Sequence, residues 1–212
     1  VDVDAIIKDL WSGHAYRIPT IVGQDWFGYD PDQKPYPYDP AKAKALLAEA
    51  GYPNGFEVTF NTPKGRYLLD VETSQAVSGY LAKVGVKANV EVVEYANYIS
   101  RLFDAKNPDN RFTMFYIGYG TPILDIDDVM SGYLDSKRRG LYYNDPKLDD
   151  FIVKGLAADT DQDRLAVYKQ ALAHIKDMAP WIFLFNGEDI YGQNKRLTGW
   201  KARPDEYVVL SR

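Results

Sequence analysis

Between residues 39 and 117 the apolar residues alternate between helical and strand spacing, and this alternation restricts the chain to folds in which helices cross over a sheet. In the run from Asp39 to Gly51, Ala43, Leu46, Leu47 and Ala50 recur at helical spacing and predict a buried stripe. Asp39 is placed to cap that helix, Pro40 suits its first turn, and Gly51 suits the left-handed position beyond its end. After the turn Pro53-Asn54-Gly55 the period drops to two: Phe56, Val58 and Phe60 alternate with Glu57, Thr59 and Asn61. Thr73, Val77, Tyr80, Leu81 and Val84 then predict a helix over 69–84, and Val86, Ala88, Val90 and Val92 a second strand. A third helix is predicted over 95–105 with Ile99, Leu102 and Phe103 inward; the apolar run 112–117, broken only by Thr113, predicts a buried strand. Strands separated by helices cannot pair as hairpins. They imply crossovers and a parallel or mixed sheet covered by helices, an α/β fold.

Flanking segments are less regular. Asp4 is placed to cap a short helix carrying Ile6, Ile7 and Leu10. Residues 16–38 contain Pro19, Pro31, Pro35 and Pro37 with Gly23 and Gly28 and read as loop. A loop that long is uncommon inside a compact domain, so it is functional or rests against something outside the chain. Downstream, Asp125, Asp127 and Asp128 open a helix through Val129, Met130 and Leu134. Asp145-Pro146 starts another with Leu148, Phe151 and Ile152. Thr160 with Asp163 forms a near capping box before the strongest periodicity, Leu165, Tyr168, Leu172, Ile175 and Met178, which Pro180 ends. Residues 181–185 read as a last buried strand, followed by short strands and turns.

Composition excludes several functions. A net charge of −5 disfavours nucleic acid as a partner. Cysteine is absent and only His14 and His174 are present, so thiolate chemistry, Cys-zinc sites and His-based constellations lack material. Gly118-Tyr119-Gly120 begins like a dinucleotide loop, but Ile123 stands where the third glycine belongs. Asp125-Ile126-Asp127-Asp128 resembles the first ligands of a calcium loop, yet Met130 and Ser136 stand where that loop needs its Gly and Glu. Two readings of these carboxylates stay open: a metal-dependent hydrolase built on Asp125, Asp127 and Asp128, or capping of the helix by Asp127 or Asp128. No run of 18 apolar residues occurs. The opening Val1-Asp2-Val3-Asp4 is acidic where an export signal is basic, so the chain reads as cytosolic or as a mature or trimmed piece of an exported protein. What remains is binding. Residues 118–127 follow a buried strand's carboxyl end, where open α/β sheets place ligands, and the 17 tyrosines offer material for an aromatic cleft.

The stretch Tyr36-Pro37-Tyr38-Asp39-Pro40 through Ala50-Gly51-Tyr52-Pro53-Asn54-Gly55-Phe56 resembles the signature of family-5 extracellular solute-binding proteins of ABC importers, which include oligopeptide, dipeptide, glutathione and nickel binders. Leu81-Ala82-Lys83-Val84-Gly85-Val86, Asn144 through Asp149, Arg164 through Tyr168, and Ala179-Pro180 fall in the same order as in that family. The resemblance spans nearly the whole chain but less than half of a member. It implies one C-terminal lobe, over 1–198, of a two-lobed type II periplasmic-binding-protein fold with a mixed sheet, and a segment 199–212 returning toward an N-terminal lobe that the chain does not include. It further implies a periplasmic or otherwise extracytoplasmic location, with lipid anchoring through the absent N-terminus as an option. The implied protein is a monomer without enzymatic activity, cofactor or resident metal, and its partners are a small-molecule ligand, the ABC permease subunits and the N-terminal lobe.

Site residues also follow from the resemblance. Arg66, in Pro63-Lys64-Gly65-Arg66-Tyr67, lies near the position where dipeptide binders use an Arg for the ligand carboxylate. Tyr119 falls where peptide binders have the Trp of a Gly-Trp pair, with Gly120, Thr121 and Asp125 in the same loop. Four residues after Gly118 those members carry an Asp for the peptide amino group, and this chain has Pro122. Proline supplies no charge and stiffens the loop. The loop therefore suits a neutral or hydroxyl-rich ligand, or an acidic end, better than a peptide amino terminus.

Overall fold

The computed structural model describes residues 1–104, 106–138 and 143–208. The described chain forms two compact units and passes between them more than once: Val1–Gly13 with Tyr36–Gly118, and His14–Pro35 with Tyr119–Arg212. The boundary expected at 198/199 falls inside the second unit, and residues 209–212 of the predicted return segment lie outside the described residues.

The first unit opens with α1 (Val3–Asp9), capped by Asp2 rather than Asp4: the Asp2 carboxylate accepts from the Ala5 N–H at 3.0 Å. The helix begins two residues earlier than expected, and Val3 is buried with Ile6. α2 (Pro40–Glu49) has the predicted Asp39 cap, which accepts from the Lys42 N–H at 2.8 Å, but its predicted buried stripe is absent. No residue of α2 is buried and Leu46 is 53% exposed. A helix rich in alanine and opened by an Asp-Pro cap forms on propensity and capping without a covered face.

β2 (Glu57–Lys64), β3 (Lys87–Glu94) and β4 (Met114–Phe115) build a parallel sheet in the order β3-β2-β4, and β1 is given below with its own sheet. β2 pairs along its whole length with β3, from Glu57 opposite Lys87 to Lys64 opposite Glu94. It meets β4 only at Phe60 and Asn61, so Pro63 lies beyond that pairing and withholds no N–H from β4. The apolar run 112–117 thus gives a two-residue strand, not a fully buried one. α3 (Asp70–Ala82) joins β2 to β3 and α4 (Tyr95–Leu102) joins β3 to β4. Thr73, Ser74 and Val77 of α3, and Tyr98 and Leu102 of α4, are buried. Ala105, the predicted end of the third helix, lies outside the described residues. Gly55 takes φ +73 where a Cβ would stand 1.8 Å from the Gly85 carbonyl oxygen, so only glycine permits this turn-on-turn approach.

The second unit is mainly helical. α5 (Ile126–Tyr133), α6 (Pro146–Ala157) and α7 (Asp161–Met178) enclose a core of Ile126, Val129, Met130, Leu134, Leu148, Phe151, Ile152, Tyr168, Leu172 and Ile175. Ile21 and Val22 join that core, so the long irregular stretch has a partner within the chain itself. β1 (Ala15–Arg17) and β5 (Phe185–Gly187) pair antiparallel. Residues 181–184 are not strand and not buried, contrary to the pattern-based expectation; Ile182 is exposed. Met178 and Leu165 are likewise exposed on α7. The mixed sheet expected from sequence is realised as one parallel and one antiparallel sheet flanked by helices.

Candidate functional site

Arg66 lies in the loop after β2. α3 leaves β2 toward β3 on one side, while β4 lies on the other, so the carboxyl end of β2 is a point where the connections diverge, the place open α/β sheets offer a ligand. Asp70, 4% exposed, fixes the loop from beneath. Its Oδ2 accepts from the Arg66 N–H at 3.0 Å and the Tyr67 N–H at 3.2 Å, and its Oδ1 from the Val71 N–H at 2.9 Å. These bonds balance the cost of burying a carboxylate. Leu69, ahead of α3, takes φ +54 and turns the chain into the helix without a side-chain cap of its own. The Arg66 side chain is exposed, and its guanidinium carbon stands 5.1 Å from the Tyr67 ring centroid and 5.6 Å from that of Tyr95.

Behind the loop, Tyr67 and Tyr116 meet edge to face at 5.9 Å, and Tyr98 donates to the Tyr116 carbonyl at 2.5 Å. Burial drives the Tyr116 phenol far above the usual range and raises Tyr67 as well, so both rings stay neutral. Gly118 passes so close to Tyr67 that a Cβ would stand 2.9 Å from its ring. Here the glycine serves close approach inside the first unit.

In the second unit, Tyr119 is 37% exposed. Its ring sits edge-on to Tyr133 at 5.0 Å and tilted to Trp26 at 6.3 Å, and Tyr133 continues to Trp181 at 6.3 Å. The Tyr119 hydroxyl donates to Asp128 Oδ2 at 2.5 Å, the length of an O–H···O⁻ bond. Gly120 is exposed; Thr121 is buried, and its hydroxyl accepts from the Ile123 N–H at 3.3 Å. Leu124, at φ +50, gives its carbonyl to the Phe27 N–H at 2.8 Å, tying the loop to the 14–35 segment.

Asp125 is engaged inside the fold. Arg164 Nη2 approaches its two oxygens at 3.1 and 3.0 Å, and it caps α5 by accepting from the Asp127 N–H at 3.0 Å. The cap is therefore Asp125, not Asp127 or Asp128. Arg164 lies over the Phe27 and Tyr168 rings and also donates to the Tyr168 hydroxyl at 3.1 Å. Asp127 accepts from the Ser131 hydroxyl at 3.1 Å; burial pushes its carboxyl up, the Ser131 bond opposes this, and the Asp125 charge adds to the rise. Each of the three carboxylates thus turns to a different partner. Among the described residues no group of three His, Cys, Asp or Glu could hold a metal ion, and nothing supports the hydrolase reading.

Sequence reasoning missed Asp70, Arg164 and the Trp26–Tyr119–Tyr133 contacts. Asp128 it read as a metal ligand or a helix cap, not as the acceptor for the Tyr119 hydroxyl. The others depend on partners distant in sequence or on the loop geometry after β2.

An arginine over two tyrosine rings at the carboxyl end of a parallel strand and, separately, a Gly-Tyr-Gly loop with tilted and edge-on aromatics are groups of the kind that small-solute sites use. The chain belongs to the bacterial extracellular solute-binding proteins, family 5, whose middle-region description matches residues 1–140. The glutathione-binding protein GsiB of Escherichia coli (strain K12) is 28% identical over 207 residues, 95% of this chain and 40% of that protein. Among solved structures, the ABC transporter-associated periplasmic binding protein DppA from Helicobacter pylori, in complex with the peptide STSA, aligns with a TM-score of 0.77 at 27% identity over 88% of this chain and 36% of its own. The PBP AgaA from A. tumefacien R10, in complex with agropinic acid, aligns at 0.76 with 28% identity over 88% and 38%. The fold is that of part of a type II periplasmic-binding protein, and the chain spans about 40% of the curated relatives it matches.

Proposed function

We propose that the chain is the ligand-binding part of an extracytoplasmic solute-binding protein that passes a small polar, carboxylate-bearing solute to an ABC permease. Arg66, in the first unit, pairs with the solute carboxylate; in the second unit, taken by itself, Tyr119, Gly120 and Thr121 offer an aromatic face and backbone groups to a ligand. Asp125, proposed from the sequence as a ligand group, serves this function by holding the loop through Arg164. The observation that carries the reading is the placement of Arg66: a guanidinium at the carboxyl end of a parallel strand, over two tyrosine rings, on a loop fastened by a buried carboxylate. Relatives described as binding glutathione and agropinic acid support an anionic solute. Calorimetric titration with glutathione tests it. Arg66→Ala should weaken binding by about 1.5–3 kcal/mol, the worth of a charge-assisted hydrogen bond, with an unchanged melting temperature. Unaltered affinity would remove Arg66 from the site.

A further inference from the structure

The Arg66 guanidinium lies over two tyrosine rings of the first unit, and both rings lead back to one residue. Tyr67 follows Arg66 at the carboxyl end of β2, and Tyr95 opens α4 at the carboxyl end of the neighbouring strand β3. The Tyr67 ring meets the ring of Tyr116, one residue beyond β4, edge to face, and the Gly118 N–H donates to the Tyr67 phenol oxygen. Tyr98, three residues after Tyr95 on α4, is sealed from water and donates to the Tyr116 carbonyl at 2.5 Å. The Tyr116 N–H donates to the Asn61 carbonyl of β2 at 2.9 Å. Its phenol is hydrogen-bonded to Thr73 of α3, whose hydroxyl accepts from Trp11 Nε1 at 3.2 Å. Amide, carbonyl, phenol and ring of one residue thus engage β2, α4, α3 and the loop after β2.

We propose that Tyr116 is a positioning residue for Arg66: by fixing the Tyr67 ring and the first turn of α4, it sets where the guanidinium is offered, acting through the two rings and not by contact with the solute. A free arginine side chain gives up the freedom of several rotatable bonds when it pairs with a carboxylate. A guanidinium already held over two ring faces has less to give up, so the ties at Tyr116 count toward affinity and not only toward stability. Thr73 and Trp11 extend the same support to α3 and to the residues that follow α1. The inference rests on the solute-capture reading above and deepens it by naming what presents Arg66 to the solute.

Two measurements on the whole chain test this. The first is nuclear magnetic resonance without any solute. Ring currents move protons lying over a ring face upfield, so the Arg66 δ-protons, assigned by their loss in Arg66→Ala, should resonate upfield of those of the exposed Arg196. Tyr98→Phe, which removes one hydroxyl and keeps the ring, should move them back. Unshifted resonances in the unaltered protein, a comparison that needs no Tyr98 variant to fold, overturn the inference, as do resonances that Tyr98→Phe leaves in place. The second is calorimetric titration with glutathione and with the tetrapeptide Ser-Thr-Ser-Ala. Tyr98→Phe and Tyr116→Phe should each weaken binding about two- to tenfold, the worth of one hydrogen bond, and should weaken it no further in the Arg66→Ala background. Equal losses in both backgrounds overturn positioning, because a merely loosened fold costs affinity whether or not Arg66 is present. Failure of both solutes to bind, with the ring shifts as expected, overturns solute capture at Arg66 and leaves its placement by Tyr116 standing.

Discussion

The 65–69 loop is fastened by Asp70, a carboxylate one residue beyond it that is nearly sealed from water and bonded to three backbone N–H groups. The 119–124 loop is fastened by Asp125, which meets one backbone N–H and a guanidinium 39 residues away, both side chains about one-fifth exposed. The first arrangement is local and uses no opposite charge. The second is long-range and depends on an ion pair in contact with solvent. A local carboxylate nest holds its loop as long as the helix behind it exists, whereas the second loop is held only while α5 and α7 stay docked.

The largest effect should come from Asp70→Ala. It leaves three N–H groups without their acceptor at a buried site, and urea unfolding should show a loss of about 3 kcal/mol. Asp70→Asn keeps one acceptor oxygen and should cost visibly less. A loss below about 1 kcal/mol would mean that the loop is held by other contacts. Arg164→Met should come next, at about 2 kcal/mol, since it strands a partly buried Asp125 and removes the bond to Tyr168. Hydrogen exchange should then accelerate at residues 121–127 and stay unchanged at 65–69. Acceleration in both loops would show that the two fastenings are not independent.

The smallest effect concerns acid. Asp145 caps α6 through the Lys147 and Leu148 N–H groups and bonds His174 at 2.6 Å. Burial works to raise its carboxyl, but the His174 bond and the capping amides outweigh it and leave it below the ordinary range. A carboxyl depressed in the fold contributes stability above its unfolded value of about 3.9 and loses it as pH falls through the folded value, so the loss should begin below about pH 4. Asp127, raised by burial, acts the other way: its protonation relieves a cost at higher pH. The two should partly cancel. Asp145→Asn should flatten the fall in urea midpoint between pH 5 and pH 3. An unchanged fall would assign acid sensitivity elsewhere.

The same division between local and distant explains what could be read from the sequence. Asp39, Thr160 and Asp145 were legible as caps because a cap and its amides lie within three residues. The alternation from 39 to 94 was legible because β2, α3 and β3 are consecutive and paired over full length. Arg66 and Tyr119 came from family resemblance, not from their surroundings. Illegible were features set by which surface another segment covers: the bare stripe of α2, the exposed Ile182, and the burial of Ile21 and Val22 under helices far downstream. Hydrophobic periodicity records the ability to be buried, and α2 shows that a well-capped helix does not need to use it. The Asp125–Arg164 pair was hidden for the same reason, since neither residue's neighbours in sequence disclose the other.

The passage of residues 14–35 into the second unit sets an order on biosynthesis. Ile21 and Val22 leave the ribosome well before their core partners, which extend to Ile175. With roughly 150 residues between them and translation at about 5–20 residues per second, the segment waits on the order of ten seconds or more for its partners. During that interval α2, β2, α3 and β3 can complete their own pairing, since every strand and helix of that run emerges consecutively. Nascent chains halted after residue 118 should therefore protect the β2–β3 ladder from proteases while residues 14–35 remain cleavable, which makes that segment the natural handle for a chaperone until α7 has emerged.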